Sequence, residues 1–120
     1  MTTETGHTIA IRAMEVIGTD VYDASGEKIG KVEDVMLDKM TSRIMFAVVS
    51  VGGAVTTSNN FFPMPWSVLD YQEQKAGYVV AQSRDHNSKG PSDTISALTK
   101  NDGAGPRKAA YDHYQVAKDW

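Results

Sequence analysis

The sequence predicts a mainly β domain, a small barrel or sandwich of five or six short strands followed by a short C-terminal helical tail. Three observations predict it. Apolar and β-branched stretches, separated by short turns containing Gly, Asp and Ser, recur from Ile9 to Arg84. Ile44 to Val51 is almost continuously apolar, as a strand buried on both faces is. After Arg84 the composition turns polar, and Pro106 opens a run with Ala110, His113, Tyr114 and Ala117 at helical spacing. At 120 residues the chain has room for one domain and one core.

Residues 1–8 read as a flexible leader, rich in Thr and without apolar anchors. They lack the charged-then-apolar order of a secretory signal. Ile9, Ile11 and Ala13 alternate with Ala10, Arg12 and Met14, a weak strand signal that Gly18 breaks. Val21-Tyr22 starts a second strand, and Asp23 to Gly26 is a tight turn, because Asp and Ser bond local backbone and Gly tolerates positive φ. Lys28 to Asp38 is the next extended segment. Its Ile29, Val32 and Met36 would also share a helix face, so periodicity alone leaves strand and helix open. The preceding turn and Gly30 favour a strand, with Gly30 marking a bulge or sharp bend.

Asp38 to Ser42 is a hairpin loop leading into Ile44–Val51. One face of that strand can point into a barrel. The other must be covered by a later part of the chain or by a partner. Gly52-Gly53 ends it, and Ala54 to Asn60 is a polar loop. Phe61 to Pro65 follows, where the prolines remove ladder donors, so the strand is an edge or soon ends. Trp66 to Leu69 suits a single helical turn, and Leu69–Gln72 and Tyr78–Gln82 flank a hairpin at 74–77. Asp85 to Pro91 is polar and flexible, Ser92 can cap a short helix carrying Ile95 and Leu98, and Asn101 to Gly105 links to a helix ending near Gln115. The expected organisation is therefore a leader over 1–8, a barrel over 9–84, and a linker with an aromatic tail over 85–120, packed on the barrel or on a second subunit. Gly18, Gly26, Gly30, Gly52, Gly53 and Pro65 are the expected structural turns.

At this point the residues carry a family likeness. The ordered set Val16-Ile17-Gly18, Val21-Tyr22-Asp23, Gly26-Glu27-Lys28-Ile29-Gly30-Lys31-Val32-Glu33-Asp34-Val35 resembles the opening of a PRC-barrel domain. That family is named for the cytoplasmic domain of the photosynthetic reaction-centre H subunit. Val48-Val49, Val51-Gly52-Gly53 and Phe62-Pro63-Met64-Pro65-Trp66-Ser67 are similar to its central strand and closing Pro-Trp turn. Tyr111, His113-Tyr114, Val116 and Trp120 resemble the aromatic tails of stand-alone bacterial PRC-barrel proteins. The resemblance implies a six-stranded PRC-type barrel, closed or partly open. It also implies work by docking, as in the H subunit and the ribosome-maturation factor RimM. The chain departs from both: it shows neither the H subunit's membrane helix nor RimM's extra N-terminal barrel.

Composition narrows the function classes. Lys and Arg number 12 against 15 Asp and Glu, giving a net charge of −3. Phosphate neutralisation supplies most nucleic-acid affinity, so direct binding to nucleic acid is not expected. The densest basic spot, Arg107-Lys108, reads as a solvated helix end. The absence of cysteine rules out disulfides, thiol nucleophiles and Cys-ligated metals, and fits a reducing compartment. The longest apolar run, Ile44 to Val49, is far shorter than the roughly 20 residues of a membrane span, so membrane insertion is not expected and a cytoplasmic location is.

A catalytic constellation is not legible. His7, His86 and His113 lack metal-ligand spacing, and His113 reads as a packing or hydrogen-bonding residue. Glu33 and Asp34 are strand neighbours that point to opposite faces, so they cannot converge as an acid–base pair. Ser25, Ser50 and Ser67 lack a nucleophile-elbow context, and Gly52-Gly53 is followed by no phosphate-loop lysine. No cofactor, metal or enzymatic activity is expected. The aromatic residues point elsewhere. Phe61, Trp66, Tyr111, Tyr114 and Trp120 are the candidate interface residues, because aromatic anchors dominate protein interfaces. The leading expectation is a non-catalytic protein-interaction module, a homo-oligomer docking on a larger assembly. A ribosome- or RNA-associated maturation factor and a small-ligand-binding barrel are the two alternatives.

Overall fold

The computed structural model describes residues 10–51 and 61–118. Six strands, β1 (Asp20–Tyr22), β2 (Lys28–Asp38), β3 (Arg43–Val51), β4 (Phe61–Pro65), β5 (Asp70–Gln72) and β6 (Gly77–Val79), form one sheet in the order β4-β3-β2-β1-β6-β5. β1 runs parallel to β6, and the other neighbouring pairs are antiparallel. The outer strands β4 and β5 do not pair with each other among the described residues, so the sheet is the partly open form of the barrel. The helices of the described residues are α1 (Ala13–Val16), α2 (Arg84–Ser88), α3 (Ile95–Thr99) and α4 (Ala104–Tyr114), with 3-10 turns at Trp66–Val68, Glu73–Lys75 and Asn101–Gly103.

The helix-like spacing of β2 has a physical origin in its pairing. Val21 pairs with Gly30 and Tyr22 with Lys28, which leaves Ile29 as an extra residue against β1. Val32 pairs with Val49 and Asp34 with Val48, which leaves Glu33 extra against β3. Each bulge resets the two-residue alternation. Ile29 and Val32 are therefore both buried in one core cluster, with Val35 packed against it, at steps of three. Gly30 lies between the bulges, directly against the backbone of Ser50 and Val51 in β3. A Cβ built there would stand 1.6 Å from the Ser50 carbonyl oxygen.

β3 is covered on both faces. Ala47, Val49 and Val51 join Val21, Ile29, Val32, Phe62 and Met64 in the core enclosed by the curled sheet. Phe46 and Val48, with Met45, join Leu98 of α3 in a second cluster on the opposite face. Met45 is the extra residue of a third register slip, since Met36 pairs with Phe46 and Leu37 with Ile44. The cover on the second face comes from the chain itself.

β4 is an edge strand with little left to pair. The backbone of Phe61 exchanges both hydrogen bonds with Asp93. Alternate residues of a strand direct their backbone groups to the same side. Pro63 and Pro65 therefore occupy the positions on the side away from β3, where they bring no N–H to be paired and are buried under the chain itself.

The structure corrects several local expectations. Residues 13–16 form a helical turn, not a strand, because Val16 is drawn into the core and Gly18 N–H reaches the Val32 carbonyl at 2.6 Å. The stretch expected as a flexible linker after Arg84 contains α2, held by buried Asn87. Thr94, not Ser92, caps α3, its hydroxyl accepting from Ala97 N–H at 3.0 Å. α4 begins at Ala104, two residues before Pro106. Ile9, Gly52, Gly53 and the Ala54–Asn60 loop lie outside the described residues.

The close approach at Gly30 yields a direct test. Gly30→Ala forces β2 and β3 apart against backbone atoms and is expected to cost more than about 2 kcal/mol in urea unfolding. A midpoint equal to that of the parent chain would show that the two strands separate freely there.

Candidate functional site

A groove of about 590 Å³ opens where the start of β3, the Trp66 turn and the end of α4 meet. Arg43 and Ile44 come from β3, Trp66 and Ser67 from the turn, and Tyr111 and Val116 from the C-terminal segment. Each is placed by local chemistry. Pro65 ends β4, and the following 3-10 turn sets the half-buried Trp66 ring edge-on to Tyr78 at 5.5 Å between centroids. Tyr111 is buried against β3, its hydroxyl donating to the Met45 carbonyl at 3.4 Å. Gln115 takes a left-handed conformation (φ 56°) that stops α4 and folds the chain back. Val116 N–H then reaches the Tyr111 carbonyl at 2.9 Å, which brings Val116 to the groove wall.

Beside the groove stands the β2–β3 hairpin. Asp38 closes it, its carboxylate accepting from Met40 N–H at 2.8 Å and Thr41 N–H at 3.1 Å. Those backbone donors, and more weakly the Arg107 guanidinium 3.9 Å away, hold the Asp38 carboxyl below its ordinary range. The loop presents Met40 at 93% exposure, and Leu37 at the end of β2 is 60% exposed.

α4 is fastened to the rest of the chain at its far end by a buried polar contact. Asn87 is fully buried, and its amide donates to the carbonyls of Ser83 (2.8 Å) and Gln82 (3.1 Å). The Tyr114 hydroxyl donates to the remaining amide oxygen of Asn87. Burial raises the Tyr114 hydroxyl above its ordinary range. The rings of His86 and His113 stack at 4.2 Å, and His113 Nε2 lies 2.9 Å from the His86 carbonyl oxygen.

Of the candidate interface residues, Trp66 and Tyr111 come together in the groove. Phe61 is half-buried on β4 and packs against the second core cluster, and Tyr114 is buried on Asn87. Trp120 lies outside the described residues, as does His7. Gly18 and Gly26 adopt left-handed φ of 91° and 90° as turns require, and Pro65 is buried at the end of β4. Arg43 and Asn87 escaped the sequence reading, and Val116 stood there only as part of the tail resemblance. Asn87 carries no distinguishing signal within a polar stretch. Among the described residues no group of three or more His, Asp or Glu side chains converges as metal ligands would. No helix among them is long and apolar enough to cross a membrane.

The sequence pattern of the PRC-barrel domain matches residues 9–86. The chain belongs to the PRC-barrel family. No curated protein matches it. Membership in a generally non-catalytic family suggests a protein-interaction module. In this PRC-barrel protein the groove is shared between two parts of the chain. Arg43 and Trp66 belong to the matched region, whereas Tyr111 and Val116 lie beyond it.

The two carboxylates near the groove give a pH prediction. Asp112 is held below its ordinary range by hydrogen bonds from Lys108 and then Lys118. Asp38 and Asp112 therefore stay ionised in the folded chain at pH values where the unfolded chain takes up protons. Their contribution is present above about pH 4, the unfolded carboxyl value, and is lost as pH falls through the folded one. The urea midpoint is expected to decline below about pH 4. That decline should be shallower in the double variant Asp38→Asn, Asp112→Asn; parallel acid limbs in the two proteins would contradict it.

Proposed function

We propose that this PRC-barrel protein is a non-catalytic interaction module that docks on a larger protein assembly, as a homo-oligomer, through the groove and the hairpin tip beside it. One observation carries the reading. Aromatic and aliphatic side chains from two separate parts of the chain wall a groove, and Met40 and Leu37 stand exposed next to it. Large apolar side chains held in water beside a preformed groove are what an interface leaves visible on a lone chain. The interior of the sheet supports the same reading, because Val21, Val32, Val49 and Met64 are fully buried in it, as side chains occupy small barrels.

On this reading, residues 85–120 complete the docking surface rather than form a separate functional unit. A photo-crosslinking amino acid in place of Met40, expressed in the source organism, tests it. Irradiation is expected to yield discrete adducts from position 40, one at twice the chain mass and at least one with another protein. The same probe in place of exposed Glu73, beyond β5, is expected to yield none of them. No adduct at position 40, or the same adducts from both positions, would overturn the proposal.

A further inference from the structure

We propose that the chain's own Trp120 fills the groove in the lone chain, and that a docking partner must displace it. The filling of the groove goes beyond the interaction-module reading and does not depend on it; the displacement rests on that reading. Trp120 lies outside the described residues. The path of the chain that leads to it, and the walls it meets, carry the inference.

The path comes first. Val116 and Ala117 wall the groove. Gln115 turns the chain at φ 56°, Val116 N–H reaches the Tyr111 carbonyl at 2.9 Å, and Lys118 Nζ lies 3.2 Å from Asp112 Oδ1. Trp120 follows Ala117 by three residues. Three residues span at most about 11 Å when fully extended. The Cα of Trp120 therefore stays within that distance of the groove wall, and the indole reaches beyond its Cα.

The walls suit an indole. Ile44, Trp66, Tyr111 and Val116 offer apolar and aromatic surface in a volume of 590 Å³, within the range of small-ligand sites. Leu37 and Met40 of the neighbouring hairpin are 60% and 93% exposed, so neither covers that surface. From Val116 to Trp120, the tryptophan is the one aromatic side chain. A buried tryptophan removes about 150–250 Å² from water, and its N–H then needs an acceptor. The Ser42 and Ser67 hydroxyls at the groove supply one.

Tethering decides between Trp120 and a separate molecule. A side chain held three residues from the wall meets the groove at a high effective concentration, whereas a free partner is diluted in the cell. A partner that docks in the groove competes with the indole. Its apparent affinity is lowered by the fraction of chains whose groove is open.

The test uses the full chain with isotope-labelled methyl groups. In dilute solution the Trp120 indole protons are expected to show cross-relaxation with the Ile44 methyls. Trp120→Ser is expected to shift the amides of Ser42–Ile44 and Ser67 while circular dichroism stays unchanged. The inference is overturned if the indole shows no contact with Ile44, or if the substitution moves only the amides of residues 117–119. Contact that appears solely between differently labelled chains in a mixed sample overturns it in favour of a second copy. In the source organism, Trp120→Ser is expected to raise the yield of the protein adduct from position 40 at least about twofold. An equal or lower yield overturns the displacement. No adduct from position 40 in either chain, with the Ile44 contact present, rejects the interaction module and the displacement together and leaves the filled groove standing.

Discussion

Phe46 and Val48 point to one side of β3, Ala47 and Val49 to the other, and water reaches neither. A strand of this composition cannot sit at the surface of an open sheet. Burying one large apolar side chain contributes roughly 1.5–3 kcal/mol, and a whole domain is stable by only about 5–15 kcal/mol. Leaving the second face of β3 bare would therefore remove a large part of the net stability. The short helices after residue 84 follow from that constraint. They are too short to persist alone: α3 is held because β3 offers Phe46 and Val48 to its Ile95 and Leu98, and α4 packs along β4 and reaches β3 through Tyr111.

The contacts that hold this layer also build the groove. Arg107 faces Asp38 at the hairpin, Tyr111 reaches Met45, and Tyr114 meets Asn87, so α4 is fixed at its start, middle and end. With α4 fixed, the left-handed Gln115 turns Val116 toward Trp66 and Ile44. The proposed docking surface is thus a by-product of covering β3. The same cover separates this chain from a bare barrel, since the matched family region ends at residue 86. The outer edge of β4 is meanwhile closed to strand addition by Asp93, Pro63 and Pro65. That leaves side-chain surfaces, rather than backbone pairing at β4, to engage a partner.

Much of this was legible in the residues. The strand at Ile44–Val51, its need for a second cover, the edge role of the Phe-Phe-Pro-Met-Pro segment and the Trp66 turn all follow from composition, because burial and missing N–H groups are local properties. The ambiguity of β2 had a cause that no periodicity could reveal: two bulges convert a two-residue repeat into steps of three at Ile29, Val32 and Val35. The helix at Arg84–Ser88 was hidden because its key residue is polar. Asn87 is buried only because Tyr114, 27 positions later, brings a hydroxyl to it. The groove was half legible. Trp66 and Tyr111 stood out as aromatics, but their meeting depends on the left-handed Gln115, a conformation its residue type does not announce.

If covering β3 is what holds the chain together, β3 and α4 should open only together. Native-state hydrogen exchange of the full chain measures this directly. The account predicts that the amides of Phe46–Val49 and those in the middle of α4 exchange with the same free energy, equal to that of global unfolding. Exchange of the α4 amides through a separate, cheaper opening, with β3 still fully protected, would contradict it.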